Sequence, residues 1–347
     1  LKICFRPASL IQVRQFKLLA LTDHSGHSEE NTIYPLLAEM LKNPRCAGID
    51  VASRGIESNF LFFHKYVKSS LTVSPVNPDF SFHPEGVFFK KNQRRVSLRN
   101  YDAVLLRLPH PIPSPFWVFL VKSFPGLLFI NSPRGIDTTG SKVFLLNFPD
   151  ICPPMKRCTT LEDILVFKDR FPIVLKPVKS YGGAGIVKIE DEVVQRAEGG
   201  SISFGQFAQE LGETDFDYLG VKFLRNVGEG DKRIVVCCGE ILGAALRKPA
   251  GNSWICNVAM GGHSFGAEAD EDERAIIRRI HPMLEKEGIL FYGIDTLTSD
   301  DGRRTLSEIN TTSIGGLPKI AEYSGRPVVR QAAGLLWNYI QQSQLDE

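Results

Sequence analysis

GIDTLTSDDGRRTLSEINTTSIGG, residues Gly293 to Gly316, contains two short apolar–polar alternations, Ile294–Thr298 and Thr305–Ile309. Between them lies Ser299-Asp300-Asp301-Gly302. Asp-Gly between alternating runs is the strongest short-range hairpin signal, because glycine supplies the positive φ of a tight turn. With Asp301-Gly302 at the centre of a two-residue turn, Asp300 faces Arg303, Thr298 faces Thr305 and Asp295 faces Glu308. Side chains alternate along a strand, so Asn310 falls on the Glu308 face. Two carboxylates directly opposite each other repel, and a cation between them removes the conflict. Asp295, Glu308 and Asn310 would hold it through oxygen, which suits Mg²⁺, with Mn²⁺ as the alternative, rather than zinc. Magnesium sites of this kind leave room for substrate phosphates. The same pattern also suits an exposed hairpin with solvated acids. A three-residue turn is expected to shift the register and break the Asp295–Glu308 pairing.

The rest of the 347-residue chain is 43% hydrophobic and 23% charged, enough for large cores and for two or three domains. Forty-one basic residues stand against 39 acidic ones, a balance that gives no reason to expect a nucleic-acid or membrane surface. The seven cysteines form no C-x-x-C, which argues against a zinc ribbon or a thioredoxin-type motif and for reduced thiols in the cytoplasm. No run approaches the ~18 apolar residues of a membrane helix. The first residues lack a signal-peptide core, and Leu1 implies residues upstream.

In chain order, 1–130 reads as an α/β domain. Strands are expected at Lys17–Thr22, Ile49–Ala52, Tyr101–Leu108 and Gly126–Ile130, with a helix at Glu30–Leu41. Strands alternating with helices argue for a parallel sheet. Asn131–Phe148 reads as a turn and a helix with Lys142 near its start. Thr159-x-x-Glu162 matches a capping box ahead of Leu161–Phe167. Ser180–Gly185 is a glycine-rich loop between strands Phe171–Leu175 and Ile186–Ile189. It fits neither a Walker loop nor a dinucleotide fingerprint. A glycine loop between strands can still lay N–H groups on phosphate oxygens, and Lys176 just before it could reach the same phosphates. A flexible hairpin tip with a solvated lysine fits those residues too. Asp191–Gly212 reads as a polar connection plus a helix. Lys232–Cys238 and Ile241–Arg247 form a hairpin around Gly239-Glu240, with Arg233 and Arg247 together at its open end. Paired arginines suit carboxylate or phosphate recognition, or surface salt bridging. Gly262-His-Ser264-Phe-Gly266 matches a nucleophile elbow, but the only later histidine, His281, sits inside an apparent helix, against the hydrolase order.

Taken as an ordered series, these segments resemble the ATP-grasp ligases, and among them the bacterial glutathione synthetases. The resemblance runs from about Tyr101 to Gly316. It rests on Asn131-Ser-Pro133 with Lys142, Asn147-Phe-Pro-Asp150, Val174-Leu-Lys-Pro177 with Gly182-Gly183, and Gly230-Asp-Lys-Arg233. Asn257-x-Ala-x-Gly-Gly262, Gly293-x-Asp295 and Glu308-Ile-Asn310-x-Thr-Ser313 complete it. It implies an α+β ATP-grasp fold: a parallel-sheet substrate domain (1–130), a small lid subdomain (131–205) and a C-terminal subdomain with the metal site (206–347), the last two antiparallel sheets clasping ATP.

The resemblance also implies roles. Lys142, Lys176 and Asp231 would bind ATP with Gly182 and Gly183 as its lid, and Lys222, Phe223 and Leu224 would be the hinge beside adenine. Asp295, Glu308 and Asn310 would hold Mg²⁺ or Mn²⁺. Arg233 and Arg247 would be catalytic, and Arg107, Asn257, Gly261, Gly262 and Ser313 would contact substrate. The implied reaction phosphorylates a carboxylate with ATP, after which an amine attacks the acyl phosphate. For glutathione synthetases the pair is γ-glutamylcysteine and glycine. The partners expected are small molecules, with no nucleic acid and no membrane; homo-oligomer formation stays open. Arg107-Leu-Pro-His-Pro111 and Ile314-Gly-Gly316 depart from the family pattern where the acyl and amine substrates should sit. Another carboxylate–amine pair, or a synapsin-like ATP-binding module without turnover, are the alternatives. Retention of both lysines and all three metal ligands argues against the module.

Overall fold

A computed structural model describes residues 14–178, 183–212, 215–249, 254 and 263–345. The first sheet is built from β1 (Phe16–Thr22), β2 (Cys46–Ser53), β3 (Leu71–Pro75), β4 (Arg94–Val96), β5 (Ala103–Arg107) and β6 (Leu128–Ile130). Their order is β4-β3-β2-β1-β5-β6, with β2, β1, β5 and β6 parallel and β3 reversed between β2 and β4, antiparallel to both. Parallel strands must be covered on both faces, which explains their near-continuous apolar runs. Helix α1 (Ile33–Leu41) buries Ile33, Leu36, Leu37 and Met40 on one face, and α2 (Phe60–Lys65) and α3 (Ser114–Ser123) meet through Phe62, Phe63, Phe116 and Phe119 on the other.

The middle sheet follows α4 (Pro133–Thr139) and comprises β7 (Met155–Cys158), β8 (Ile173–Pro177), β9 (Val187–Glu190), β10 (Val193–Arg196), β11 (Ser201–Ser203) and β12 (Tyr218–Lys222). It is antiparallel in the order β11-β10-β9-β8-β12-β7. Helices α5 (Leu161–Lys168) and α6 (Phe204–Gly212) cover one face, where Ile173, Leu175, Val187 and Ile189 are buried against Ile164, Phe167, Phe204 and Phe207. Strand alternation sends Val174 and Lys176 to the other face.

The third sheet, β15-β14-β13-β16-β17, is built from β13 (Asp231–Cys237), β14 (Glu240–Lys248), β15 (His263–Ala267), β16 (Phe291–Thr298) and β17 (Arg304–Asn310). Helix α7 (Glu271–Lys286) is tied to it by buried Glu273, which accepts from Thr296 Oγ1 at 2.6 Å, Lys232 Nζ at 2.7 Å and Arg304 Nε at 3.2 Å. Helices α8 (Leu317–Ser324) and α9 (Val328–Ser343) close the chain, and Trp337 Nε1 of α9 donates to Met40 O at 3.0 Å, returning the chain to α1.

Several local expectations are corrected. Residues 131–148 hold the short α4, ended at Gly140, and a separate 3-10 helix Lys142–Asn147 capped by Ser141, not one helix. The capping box lies one residue later, between Thr160 and Asp163. The polar stretch after Asp191 contains β10 and β11. Ser264 lies within edge strand β15, not on a strand-to-helix turn.

The central hairpin also differs at its turn. Thr298 pairs with Arg304, not Thr305, and Ser299 N donates to Arg303 O at 2.8 Å, so the connection is one residue longer than a two-residue turn. Gly302, at φ 83°, supplies its left-handed position. The register nevertheless returns to Asp295↔Glu308, because Thr296 pairs with Leu306 and Ser307 is left as a bulge. The longer turn and the bulge cancel, and the expected loss of the Asp295–Glu308 pairing does not occur.

Candidate active site

Between the middle and third sheets lies a cavity of about 340 Å³. The middle sheet contributes Val174, Lys176, Val221 and Lys222, the segment after β12 contributes Phe223, Leu224 and Val227, and the glycine-rich loop contributes Gly183, at φ 92°. The loop does join two antiparallel strands, β8 and β9. The third sheet contributes Asp231, Arg233, Arg247, Asp295, Leu297, Ser307, Glu308 and Asn310, and Lys142 enters from the 3-10 helix. The cavity therefore joins apolar side chains from the middle sheet and hinge to cationic and carboxylate groups.

The charged groups fall into two sets. In the first, Arg247 donates to Asp231 at 2.6 and 2.8 Å and reaches Asp295 Oδ2 at 3.1 Å. Arg233 donates to both oxygens of Asp295, Nη2 to Oδ2 at 2.8 Å. Burial alone would raise the Asp295 carboxyl, but Arg233 and Arg247 outweigh it and hold the group below its ordinary range. Burial opposes the charge on Arg247 too, and Asp295 and Asp231 more than offset that, holding its guanidinium above its usual value. Burial, then the Asp295 charge, push Asp231 up against the pull of Arg247.

The second set is looser. Lys176 Nζ donates to Ser307 Oγ at 3.3 Å, and Lys142 Nζ to Pro177 O at 3.1 Å. No side-chain hydrogen bond from a described residue reaches the Glu308 carboxylate. Its carboxyl is pushed up by burial and by Asp295 across the strand pair, against the pull of Lys176, Arg233 and Lys142. Burial lowers Lys142 to about 8, opposed by Glu308 and helped by Lys176. Asn310 Nδ2 donates to Asp295 Oδ2 at 3.4 Å.

The residues expected to act together thus largely meet. Lys142, Lys176, Gly183, Lys222, Phe223, Leu224, Asp231, Arg233, Arg247, Asp295, Glu308 and Asn310 all line the cavity. Gly182, Asn257, Gly261 and Gly262 lie outside the described residues. Arg107 and Ser313 do not line it. Arg107, at the end of β5, is 2% exposed, donates from Nη2 to Ile314 O, and lies 5.3 Å from the Phe291 ring centre. Burial lowers it to about 10. Ser313 is next to that carbonyl in a left-handed conformation, φ 47°. Sequence reasoning missed Ser307, which only the bulge turns toward the cavity, and Trp254, whose ring centre lies 6.5 Å from that of Phe223.

The model of the prokaryotic glutathione synthetase ATP-grasp domain matches residues 141–325, more than half of the chain. The glutathione synthetase of Bradyrhizobium diazoefficiens is 32% identical over 253 residues, covering 72% of this chain and 76% of that protein. The chain belongs to the prokaryotic glutathione synthetase family. As a member of it, the chain is an ATP-dependent carboxylate–amine ligase with the ATP-grasp fold. The glutathione synthetase of Rhodopseudomonas palustris is 31% identical over 71% of this chain and 75% of its own length. Solved structures agree on the fold. A D-cycloserine synthetase superposes with a TM-score of 0.63 at 14% identity, covering 93% of this chain and 99% of its own. The D-alanine-D-alanine ligase of Coxiella burnetii does so with 0.60 at 14% identity, covering 95% and 97%. Among the described residues, no helix is long and apolar enough to cross a membrane.

Proposed function

We propose that this ligase is a glutathione synthetase of the cytoplasm, joining γ-glutamylcysteine to glycine with ATP. The observation that carries the reading is the cavity, which joins an apolar, hinge-lined part suited to a nucleobase to a cationic part suited to phosphates. Family membership supports the substrate pair. Lys142 and Lys176 bind phosphate oxygens as point charges, and Gly183 lets backbone approach them.

The donor set fits a hard divalent cation. Among the described residues no group of three or more His, Cys, Asp and Glu side chains could hold a metal ion, so a site here would need the Asn310 amide oxygen as well as Glu308 and Asp295, and Asp295 would exchange a bond to Arg233 or Arg247 for the ion. Glu308 is an acceptor without a described hydrogen-bond donor, opposite a second carboxylate. Asp295, Glu308 and Asn310 would hold Mg²⁺ or Mn²⁺, and the bound ion would offset phosphate charge as phosphoryl moves.

Arg233 and Arg247 orient the substrate carboxylate. Its oxygen forms a bond to the γ-phosphorus of ATP as the β–γ bridge breaks and ADP leaves. The glycine amine then attacks the acyl carbon, the acyl–oxygen bond breaks, and phosphate departs with the amide formed. The lysines and arginines balance charge on both steps, and the loop at Gly183 limits water reaching the acyl phosphate.

The test is phosphate release with Mg²⁺-ATP, γ-glutamylcysteine and glycine, which is expected. Release only with another acid–amine pair would replace the substrates. ATP binding without turnover on any pair would overturn the ligase reading.

A further inference from the structure

The hairpin of β13 and β14 turns through Cys238-Gly239. Cys237 pairs with Glu240, and the two residues between them both have positive φ, 49° and 80°. Turns of that kind favour Asn-Gly or Asp-Gly, because a short polar side chain tolerates the left-handed backbone. A cysteine there has no such local advantage, so its backbone cost calls for another account.

The sulfur atoms supply one. Neighbours along a strand point to opposite faces. Here the left-handed residue breaks that alternation, and the Sγ atoms of Cys237 and Cys238 lie 3.9 Å apart. Cys237 is fully buried, whereas Cys238 is half-buried, with its Sγ 4.0 Å from Leu335 O of α9. Gly239 and Glu240 beside it are exposed. The Cys237 thiol donates to Cys238 Sγ, which holds the Cys238 thiol below its ordinary value against burial and the charges of Glu240 and Glu285. The same bond, and then burial, keep Cys237 protonated. Burial raises the thiols of the other described cysteines, Cys46, Cys152 and Cys158, the last two to about 12 and about 11. Since the thiolate is the reactive form, Cys238 stands apart from them.

We propose that Cys238 is a site of reversible oxidation by a hydroperoxide, with Cys237 as the thiol that resolves it into a disulfide between adjacent residues. Half-buried against α9 and under the charge of two carboxylates, Cys238 admits a small uncharged oxidant more readily than an anionic one such as glutathione disulfide. With hydrogen peroxide, the Cys238 thiolate attacks one oxygen, an S–O bond forms, the O–O bond breaks, and hydroxide leaves and takes up the proton that Cys238 gave. Cys237 then attacks Cys238 Sγ, the S–S bond forms, the S–O bond breaks, and the hydroxyl departs with the Cys237 proton as a second water. Two thiols lose two hydrogens, and one peroxide becomes two waters. The sulfurs close from 3.9 Å to about 2.05 Å. Adjacent Cα atoms stand about 3.8 Å apart, below the lower end of the usual disulfide range at about 4.4 Å, so the bond is readily reduced and the change is reversible.

The test treats the full chain with hydrogen peroxide and follows each cysteine by peptide mass mapping, with melting in reductant to verify the fold of every variant. The wild type is expected to lose two hydrogens from the peptide that holds both residues, at least about tenfold faster than Cys46 or Cys152 is oxidised, and dithiothreitol should restore them. Cys237→Ser should stop at a sulfenic acid on Cys238 that dimedone captures; Cys237→Ala, which removes the donor as well, should do the same more slowly and serves where serine unfolds the strand. Cys238→Asn suits the left-handed position, keeps the fold and should leave the peptide unoxidised. Oxygen retained on Cys238 of the wild type in place of the disulfide, a pair left unmodified, or Cys237 variants that gain no dimedone would each overturn the inference. So would a loss of two hydrogens that persists in Cys238→Asn.

Discussion

Asp295 and Glu308 pair across the same two strands and border the same cavity, yet their surroundings are opposite. Asp295 belongs to a closed set in which Arg233 and Arg247 hold its oxygens and Asp231 shares Arg247. Glu308 faces the lysine side, where Lys142 and Lys176 influence it through charge but no described hydrogen bond reaches it. Two carboxylates a strand apart have thus been pushed in opposite directions, one stabilised as an anion and one kept costly. The arginine side is already paired within the protein, so a substrate carboxylate or an ion there must exchange with those pairs. The lysine side is assembled for charges that arrive with the substrate.

The largest expected effect tests this division by removing each charge in turn. Glu308→Gln and Asp295→Asn should both cut phosphate release, Glu308→Gln by at least about a hundredfold. Their stabilities should diverge. A carboxyl whose folded value is raised loses stability as pH rises from its ordinary value to the raised one, and the full cost stands above that, so Glu308→Gln should melt at or above the wild-type temperature near pH 7. Asp295 has a depressed folded value, so its contribution is present above the ordinary carboxyl range and is lost as pH falls through the folded value. Asp295→Asn leaves a buried arginine short of its partner and should cost about 3 kcal/mol at pH 7, measured by denaturant unfolding. Equal stability losses in the two variants would erase the distinction between the two sides.

A smaller effect is expected from pH. Lys142 is lowered to about 8, so in the free protein its charge is lost as pH rises through that value. The basic limb of kcat/KM should therefore fall near pH 8, while kcat, which reports the nucleotide-bound protein, should hold to higher pH because bound phosphate favours the ammonium. Lys142→Arg keeps the charge at all these values and should remove the limb from kcat/KM, at some cost in absolute rate. A limb unmoved by that change would belong to another group.

The hairpin was legible because Asp-Gly, alternation and the acids coincide within 24 residues, and the arginine pair because both residues sit at one end of a second hairpin. What escaped is what depends on partners distant in sequence. The reading of a two-residue turn was wrong by one residue, yet Asp295 still met Glu308, because the bulge at Ser307 restored the register. No composition marks such a bulge; beside it, Leu306 N donates to Ile151 O at 2.8 Å, a partner 155 residues away in sequence. Strands β10 and β11 are four and three residues long and sit in glycine-containing polar sequence, so alternation had too little length to speak. The contact of Asp300 with Lys222 joins residues 78 apart and leaves no local trace.

The bulge supplies the finest test of the lysine side. In a regular strand Ser307 would point away from the face that carries Glu308. As the extra residue it lines the cavity instead, and its hydroxyl accepts from Lys176 Nζ at 3.3 Å. A neutral acceptor holds the ammonium in place without neutralising it, so the charge stays available to phosphate. Ser307→Ala removes one hydrogen bond to a charged group at the long end of the range. That is worth about 0.5–1 kcal/mol, or about two- to fivefold in KM for ATP. Ser307→Asp keeps an acceptor but pairs the lysine with a charge, and adds a third acid beside Asp295 and Glu308. It should weaken ATP more than Ser307→Ala does. If the two variants bind ATP equally, the bulge serves only to restore the register of the two acids, and the lysine needs no holder.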